Sequence, residues 1–240
     1  MNTVLVDGAG VTTNINEQPP PLTAAEWEAL CDTAEAAVRD INAHWLVIGG
    51  SFPEVEGGRT AALNRMLAAV SAEGARVCVD SSGPVLREIL EHHGTQVDLV
   101  KPNVEELADA AGMPVTTQAD LVTAAEELLG LGVNRALVTA GAQGMFLIGS
   151  RSRLWARSGP VPVVNTTGAG DAALAGFLSQ DRSPLAPLSA VERSLTQAMA
   201  WGASAVQTAA AVPTRIVPLP HVEVREPDLD ASLTHAEPEN

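Results

Sequence analysis

Apolar residues along this chain occur in short runs that alternate with longer segments of helical periodicity. The short runs end at or beside glycine, proline or an acid, as buried strands do; they are HWLVIGG, ARVCVD, VDLVKP and NRALVTA. Apolar residues three or four positions apart predict helices around these runs, at residues 23–41, 60–73, 84–93, 103–111 and 117–130. This alternation is typical of βαβ units, which build a parallel sheet through right-handed crossovers. The pattern therefore predicts an α/β fold.

The two ends of the chain have patterns of their own. Residues 1–16 contain two alternating stretches, NTVLV and VTTNIN, on either side of DGAG, which predicts a β-hairpin with a glycine-rich turn. After residue 140, the stretches GMFLIG, RLWAR and VPVVN predict further strands, and residues 169–180 and 188–211 predict helices. Residues 221–240 are acidic and contain proline, so we expect a mostly disordered tail after a domain of residues 1–220.

Composition narrows the classes of partner. The chain has 240 residues, enough for one α/β domain, and a formal net charge of −15. An acidic surface repels nucleic acids and anionic membranes, so neither is expected as a partner. With no apolar run of membrane-spanning length, no signal-peptide pattern and only two cysteines, we expect a cytoplasmic protein without a disulfide scaffold. Among the 14 basic residues only Lys101 is a lysine, which draws attention to its surroundings.

The stretch VVNTTGAGDAALAGFL places a glycine-rich turn at the predicted N-terminus of a helix. Gly168 and Gly170 leave the backbone amides of residues 168–171 uncovered, where a helix N-terminus favours a bound anion. Asp171 follows directly, and the same helix end favours its ionised form, so it could accept a proton from an attacking hydroxyl. These features predict a site that stabilises a phosphoryl group during its transfer.

Two other interpretations of this stretch stay open. It also fits the dinucleotide-binding fingerprint G-x-G-x-x-A. However, the turn occurs late in the chain, and the next apolar stretch, RIVPLP, ends without the acid that would hold a ribose. Asp171 would in addition repel a pyrophosphate at the turn. Alternatively, Asp171 serves only to cap the helix, as aspartate often does.

Lys101 begins the stretch KPNVEEL, directly after a predicted strand. Its ammonium group can offer a point charge to a transferring phosphate. Asn103 and Glu106 can orient water or Mg²⁺ beside the phosphates of a nucleotide, so that the metal is held through water rather than by direct ligands. The same two residues fit a helix N-cap and its reciprocal partner three positions later, and the two roles are compatible.

These motifs resemble those of one enzyme family. NTTGAGDAALAGF is similar to the C-terminal signature of the ribokinase-like (pfkB) carbohydrate kinases, and KPNVEEL resembles the family's K-P-N-x-x-E element. The resemblance extends from near residue 1 to about residue 217. It implies that Asp171 is the catalytic base and that the backbone of Gly168, Ala169 and Gly170 forms the anion hole. Asn165 departs from the Asp or Ser that the family often has at this position.

The resemblance implies roles for two further stretches. VTAGAQGMFLI, residues 138–148, is similar to the family's nucleotide loop, so Thr139, Gly141 and Gly144 are expected to lie against ATP. A tight turn between two strands would explain the glycines as well. LVIGGSFPEVEGG resembles a substrate-binding stretch of the family, which makes Ser51 a candidate for binding the sugar phosphate.

A member of this family is expected to be a ribokinase-like three-layer α/β/α sandwich with a mostly parallel sheet. It uses ATP and Mg²⁺ to phosphorylate a sugar. The likeness to the phosphosugar branch indicates fructose 1-phosphate, converted to fructose 1,6-bisphosphate, and otherwise tagatose 6-phosphate or fructose 6-phosphate. It also implies that the family's first βαβ units, part of its lid and most sugar-binding residues are missing, with residues 1–16 belonging to the lid. The alternative is therefore an inactive nucleotide-binding remnant; a homodimer is compatible with either.

Overall fold

Strands of the main sheet lie side by side in the order in which they occur along the chain. The computed structural model describes residues 2–6, 12–16, 20–181, 183, 185–210 and 221–233. The strands in these ranges are β1 (Asn2–Val6), β2 (Thr12–Asn16), β3 (Trp45–Gly49), β4 (Arg76–Asp80), β5 (Leu99–Val100), β6 (Arg135–Thr139), β7 (Met145–Gly149), β8 (Ser152–Ser158) and β9 (Val222–Arg225). The helices are α1 (Ala24–Asp40), α2 (Thr60–Ala72), α3 (Pro84–His93), α4 (Val104–Ala111), α5 (Gln118–Gly130), α6 (Ala169–Gln180) and α7 (Leu188–Ala205).

Within the described residues, β3 to β9 form one seven-stranded sheet. Strands β3 to β6 are parallel and are connected through helices, whereas β6 to β9 pair antiparallel. In the parallel part, Gly49 at the end of β3 lies opposite Asp80 at the end of β4, and Val79 lies opposite Val100. The carboxyl ends of these strands therefore meet along one edge, where α/β sheets bind their ligands.

Two apolar clusters cover the two faces of this sheet. Alternate residues of a strand point to opposite faces. Val77 and Val79 belong to a cluster with residues of α1 to α5, whereas Cys78 between them belongs to a cluster with residues of α6 and α7. The predicted three-layer α/β/α sandwich is thus present. Cys31 and Cys78 are both free and buried, and no helix in the described ranges is long and apolar enough to cross a membrane.

The hairpin predicted at the N-terminus is also present. Strand β1 pairs with β2 in antiparallel register, from Asn2 opposite Asn16 to Val6 opposite Thr12. The DGAG turn between these strands lies outside the described residues, as does RIVPLP. That the hairpin belongs to a lid stays a prediction.

The strand predicted at VPVVN is wrong. Pro160 and Pro162 remove backbone donors there, and the amides of Val164 and Asn165 donate to the carbonyl of Val206, at 2.7 and 3.2 Å, rather than to a neighbouring strand. The segment follows the end of α7 instead. Helix α7 itself ends at Ala205, earlier than the predicted residue 211, and the Val206 amide at its C-cap donates to the Gly202 and Ser204 carbonyls.

The predicted disordered tail is wrong for residues 221–233. Strand β9 pairs antiparallel with β8 at the edge of the sheet. Further along, the Leu233 amide donates to the Thr116 carbonyl at 2.7 Å, and the Gln118 amide donates to the Ala231 carbonyl at 2.9 Å. The Leu233 side chain is buried. These residues complete the sandwich because backbone pairing and one apolar anchor outweigh the acidic composition; residues 234–240 lie outside the described ranges.

Candidate active site

Several predicted site residues lie at the carboxyl edge of the parallel strands. Ser51 follows β3, Lys101 follows β5, and Thr139 ends β6. The Thr139 amide donates to the Pro102 carbonyl at 3.0 Å, which fixes the loop after β5 against the end of β6. The topology therefore brings residues from separate parts of the sequence to one edge of the sheet.

Lys101 is buried and paired with a carboxylate that ends the neighbouring strand. Its Nζ lies 3.0 Å from Oδ1 of Asp80, and the side chains are 7% and 17% exposed. The Lys101 amide donates to the Val79 carbonyl at 3.0 Å, which aligns the two strand ends. Asp80 was not among the predicted site residues. The sequence did contain a signal for Asp80. It is an acid at the end of a buried strand, and the next predicted strand leads to the only lysine.

The electrostatics of Asp80 reveal which charges share this edge. Burial raises the pKa of the Asp80 carboxyl group above its ordinary value, and the negative charges of Asp171 and Glu106 raise it further. The Lys101 ammonium opposes this effect, both by its charge and by its hydrogen bond. The carboxylates of three separate motifs and the one lysine therefore act on each other within a single cluster.

Replacing Lys101 by methionine is expected to make stability fall more steeply as the pH rises. Without the ammonium, the pKa of Asp80 rises further in the folded protein, which then binds more protons than the unfolded chain between the two pKa values. Stability in this window decreases with pH, by about 1.4 kcal/mol for each unit of additional shift. Chemical denaturation of Lys101→Met and wild type between pH 4 and pH 8 measures this.

The control is Arg65→Met, which breaks an ion pair with Asp32 whose two side chains are both more than half exposed. Exposed ion pairs contribute little to stability. The free energy of unfolding of Arg65→Met should therefore differ from that of wild type by a nearly constant amount between pH 4 and pH 8. A constant difference for Lys101→Met as well would contradict the coupling between Lys101 and Asp80.

The N-terminal turn of α6 lies directly against Lys101. Gly168 occupies the N-cap position with φ of +79°, a left-handed conformation that favours glycine. At Gly170, a Cβ built on the backbone would lie 3.2 Å from Lys101 Nζ and 3.9 Å from Cε. A side chain at Gly170 would thus disturb the approach of the helix N-terminus to the ammonium, and one at Gly168 would strain the left-handed backbone of the N-cap.

Backbone donors at this turn are partly engaged. The Ala169 amide donates to the Thr166 carbonyl at 3.2 Å. The amides of Gly168, Gly170 and Asp171 make no hydrogen bond to any residue that the structure describes. Asp171 lies in the first turn of α6 and is exposed. The turn therefore presents three available amides and one accessible carboxylate beside a buried ammonium. Ala169, which the sequence placed in the anion hole, has its amide already engaged with Thr166.

Asn103 and Glu106 form a helix cap. This is one of the two roles that the sequence left open for them, the other being to orient water or Mg²⁺ beside a nucleotide. The Glu106 amide donates to Asn103 Oδ1 at 2.8 Å, and the Asn103 amide donates to Glu106 Oε2 at 2.9 Å. The cap at the start of α4 uses one carboxylate oxygen of Glu106. In the described part of the chain, no group of three or more His, Cys, Asp or Glu residues is placed to hold a metal ion.

Gly141 and Gly144 lie in the tight turn between β6 and β7, and their surroundings differ. Gly144 has φ of +96°, and a Cβ there would lie 2.0 Å from the carbonyl oxygen of Ala156. Gly141 has φ of +54° and nothing within 4 Å of its Cβ position. The left-handed backbone and the approach of β8 account for Gly144, whereas Gly141 borders open space that a ligand can enter.

Gly144→Ala is expected to destabilise the protein by about 3 kcal/mol, because strained backbone and a clash with β8 add. Gly141→Ala is the matched control and should cost about 1 kcal/mol, since only its left-handed backbone resists a side chain. Thermal or chemical denaturation of the two variants measures the difference. Equal losses would show that the approach of β8 to Gly144 is not what requires the glycine.

Residues 1–215 match the sequence model of the pfkB family carbohydrate kinases. The chain belongs to the pfkB family. The match covers the sandwich, the Lys101 loop and the α6 turn. It ends before the described segment 221–233, which contributes β9 to the sheet of this pfkB chain.

Named relatives of this pfkB chain include two 1-phosphofructokinases. The protein from Haloferax volcanii is 36% identical over 165 residues, which cover 69% of this chain and 50% of the relative. The protein from Vibrio cholerae is 30% identical over 178 residues, which cover 74% of this chain and 54% of the relative. The chain thus spans about half the length of the curated relatives it matches.

A solved structure supports the same fold. Phosphofructokinase-2 from Escherichia coli, crystallised in complex with substrates and products, is similar with a TM-score of 0.69 at 28% identity. The likeness covers 90% of this chain and 66% of that one. The predicted ribokinase-like fold class is therefore confirmed for this pfkB chain.

In this pfkB chain Ser51 is exposed and follows the end of β3. It follows Gly50, whose amide donates to the Asp80 carbonyl at 3.0 Å. Ser51 lines a cavity of about 340 Å³ whose other walls are mainly apolar residues of α1, α2 and β3. Strand β3 ends the sheet on this side, and Val47 in it is 44% exposed.

Proposed function

We propose that this pfkB-family chain transfers the γ-phosphoryl group of ATP to a sugar phosphate, with fructose 1-phosphate as the first choice and fructose 1,6-bisphosphate as the product. One observation carries this proposal. An exposed carboxylate, Asp171, follows uncovered helix amides that lie against the only lysine ammonium. An acceptor of protons, donors for anionic oxygens and a fixed positive charge are the parts that phosphoryl transfer requires.

Each part has a separate task in the proposed reaction. Asp171 takes the proton of the C6 hydroxyl as the hydroxyl oxygen bonds to the γ-phosphorus. The bond from that phosphorus to the oxygen shared with the β-phosphate breaks, and ADP leaves. The free amides of Gly168, Gly170 and Asp171 hold the charge on the transferring oxygens, while Lys101 supplies a point charge that Asp80 keeps in position.

Mg²⁺ fits the chemistry of the residues near Lys101. Glu106 uses only one oxygen in the α4 cap, so its second oxygen can bind a water of a hydrated magnesium ion. Asn103 sits beside it at the N-cap. When bound, Mg²⁺ neutralises charge on the nucleotide phosphates. Thr139 and Gly141, which border the same edge, are proposed to contact the nucleotide.

The choice of fructose 1-phosphate is supported by relatives named 1-phosphofructokinase, among them those from Haloferax volcanii and Vibrio cholerae. Other relatives are named D-tagatose-1-phosphate kinase and ATP-dependent 6-phosphofructokinase isozyme 2. These names indicate tagatose 1-phosphate and fructose 6-phosphate as competing substrates. Both belong with fructose 1-phosphate to one substrate class, the phosphorylated ketohexoses. Ser51 is proposed to contact the sugar phosphate, and a homodimer stays a prediction.

Coupled ADP release tests the substrate. We expect ATP turnover that depends on fructose 1-phosphate, with a kcat/KM at least about tenfold above those for tagatose 1-phosphate and fructose 6-phosphate. Tagatose 1-phosphate has the opposite configuration at C4, and fructose 6-phosphate already carries its phosphate on the C6 oxygen that would attack. A higher kcat/KM for either competitor would replace the substrate. ADP release that no sugar phosphate stimulates would overturn the kinase proposal.

A further inference from the structure

A buried ionic cluster ties the far end of α6 to the sheet. Asp181 directly follows α6, and its side chain is 1% exposed. Its Oδ2 accepts from Arg76 Nη1 at 2.6 Å and from Arg135 Nη2 at 2.7 Å, and its Oδ1 accepts from Arg135 Nη1 at 3.1 Å. The two arginine side chains are only 11% and 13% exposed. One carboxylate therefore holds two guanidinium groups, one of them bidentately.

The partners of Asp181 lie at the amino ends of the strands, opposite the candidate active site. Arg76 begins β4 and Arg135 begins β6. The main-chain carbonyl of Asp181 accepts from Arg76 Nη2 and, at 3.4 Å, from Nε1 of Trp45, which begins β3. The Arg76 guanidinium lies 4.0 Å from the centre of the Trp45 ring. A single residue thus anchors α6 to three strands at once.

Stability alone gives a weak reason for such a cluster. Burying one carboxylate with two guanidinium groups leaves one excess positive charge, and well-packed apolar residues often stabilise a protein as much. What a bidentate pair adds is a fixed geometry, because two parallel hydrogen bonds set both distance and orientation. The cluster therefore defines where α6 ends relative to the sheet.

The opposite end of the same helix approaches Lys101 closely. Helix α6 has 12 residues and is about 18 Å long. At its N-terminus the backbone of Gly170 approaches Lys101 so closely that a single methyl group would lie 3.2 Å from Nζ. Because a helix is stiff along its axis, any displacement at Asp181 moves the amides of the first turn by a similar amount.

We propose that the Arg76–Asp181–Arg135 cluster is a positioning device that sets the height of α6 along the sheet and so the distance between the α6 amides and Lys101. Its effect on catalysis rests on the proposed kinase function, whereas its effect on the helix does not. A misplacement of about 1 Å can lower a transfer rate about 10²-fold. These three residues touch neither nucleotide nor sugar in the proposed reaction; they act through α6.

The single lysine provides a probe of this distance. Labelling with ε-¹⁵N-lysine gives one side-chain resonance, from Lys101 Nζ, which reports its surroundings without any turnover. We expect Asp181→Asn to shift this resonance and to lower kcat about 10²-fold. Arg135→Lys keeps the charge but removes the bidentate pair, so it should shift the resonance in the same direction by a smaller amount. This second variant serves if Asp181→Asn does not fold.

Asp98→Asn is the matched control. Asp98 lies near the same end of the sheet, where its carboxylate accepts from the Val77 amide at 2.9 Å and from Asn134 Nδ2 at 3.2 Å, and neither partner belongs to α6. We expect this variant to lower Tm without shifting the Lys101 resonance. A lowered Tm with an unshifted resonance in Asp181→Asn and Arg135→Lys would overturn the proposal. If wild type showed no turnover, the kinase proposal would fail, while the resonance would still decide the role of the cluster.

Discussion

Asp171→Asn is expected to lower the rate of phosphoryl transfer by about 10² to 10⁴-fold, the range that a general base contributes. Asparagine has nearly the same shape but cannot accept the proton of the sugar hydroxyl. Asp171 is exposed and in the first turn of α6, so the folded structure should persist. Steady-state ADP release with fructose 1-phosphate measures the loss, and circular dichroism checks the fold.

Asp109→Asn is the control for this change. Asp109 is an exposed residue of α4, so the same chemical substitution occurs on a helix surface away from the α6 turn. Its kcat should equal that of wild type. If Asp171→Asn retained the wild-type rate, the proton would go elsewhere, and Asp171 would serve only as a favourable negative charge in the first turn of α6, whose N-cap is Gly168.

Lys101→Met is expected to lower kcat by about 10² to 10³-fold, the effect of removing one fixed donor to developing charge. The ammonium is buried against the helix turn at Gly170, and the sequence contains no second lysine. Measurement below pH 6 and well under the unfolding temperature limits the loss of stability from the unpaired Asp80. The exposed-pair variant Arg65→Met should keep its kcat. Equal rates for Lys101→Met and wild type would remove Lys101 from the transfer step.

Periodicity predicted most of the sandwich because its elements are locally encoded. The capping box at α1 is an example: the Glu26 amide donates to Thr23 Oγ1, and the Thr23 amide donates to Glu26 Oε2. Short apolar runs likewise marked β3 to β6. VPVVN failed because valines raise strand propensity while the prolines beside them remove the donors of a ladder. Strand β9 was missed because its four residues are set in an acidic, proline-containing sequence.

The site was predictable where one motif holds several parts, and less so where distant segments meet. Turn, amides and carboxylate of the α6 site are contiguous in sequence. Asp80 belongs to the site only because β4 and β5 are neighbours in the sheet. The Asp181 cluster joins residues 105 positions apart, for which no local pattern exists. Gly144 shows the converse, since a motif glycine is explained by its contact with β8.

In the proposed kinase, a bound nucleotide places its phosphates where the α6 turn meets Lys101. Titrating ε-¹⁵N-lysine-labelled protein with Mg·ATP measures this most directly, alongside calorimetry of the same binding. We predict that the Lys101 Nζ resonance shifts to saturation with the Kd that calorimetry gives. ATP that fails to bind, or that binds without moving this resonance, would show that the phosphates do not lie at the α6 turn beside Lys101.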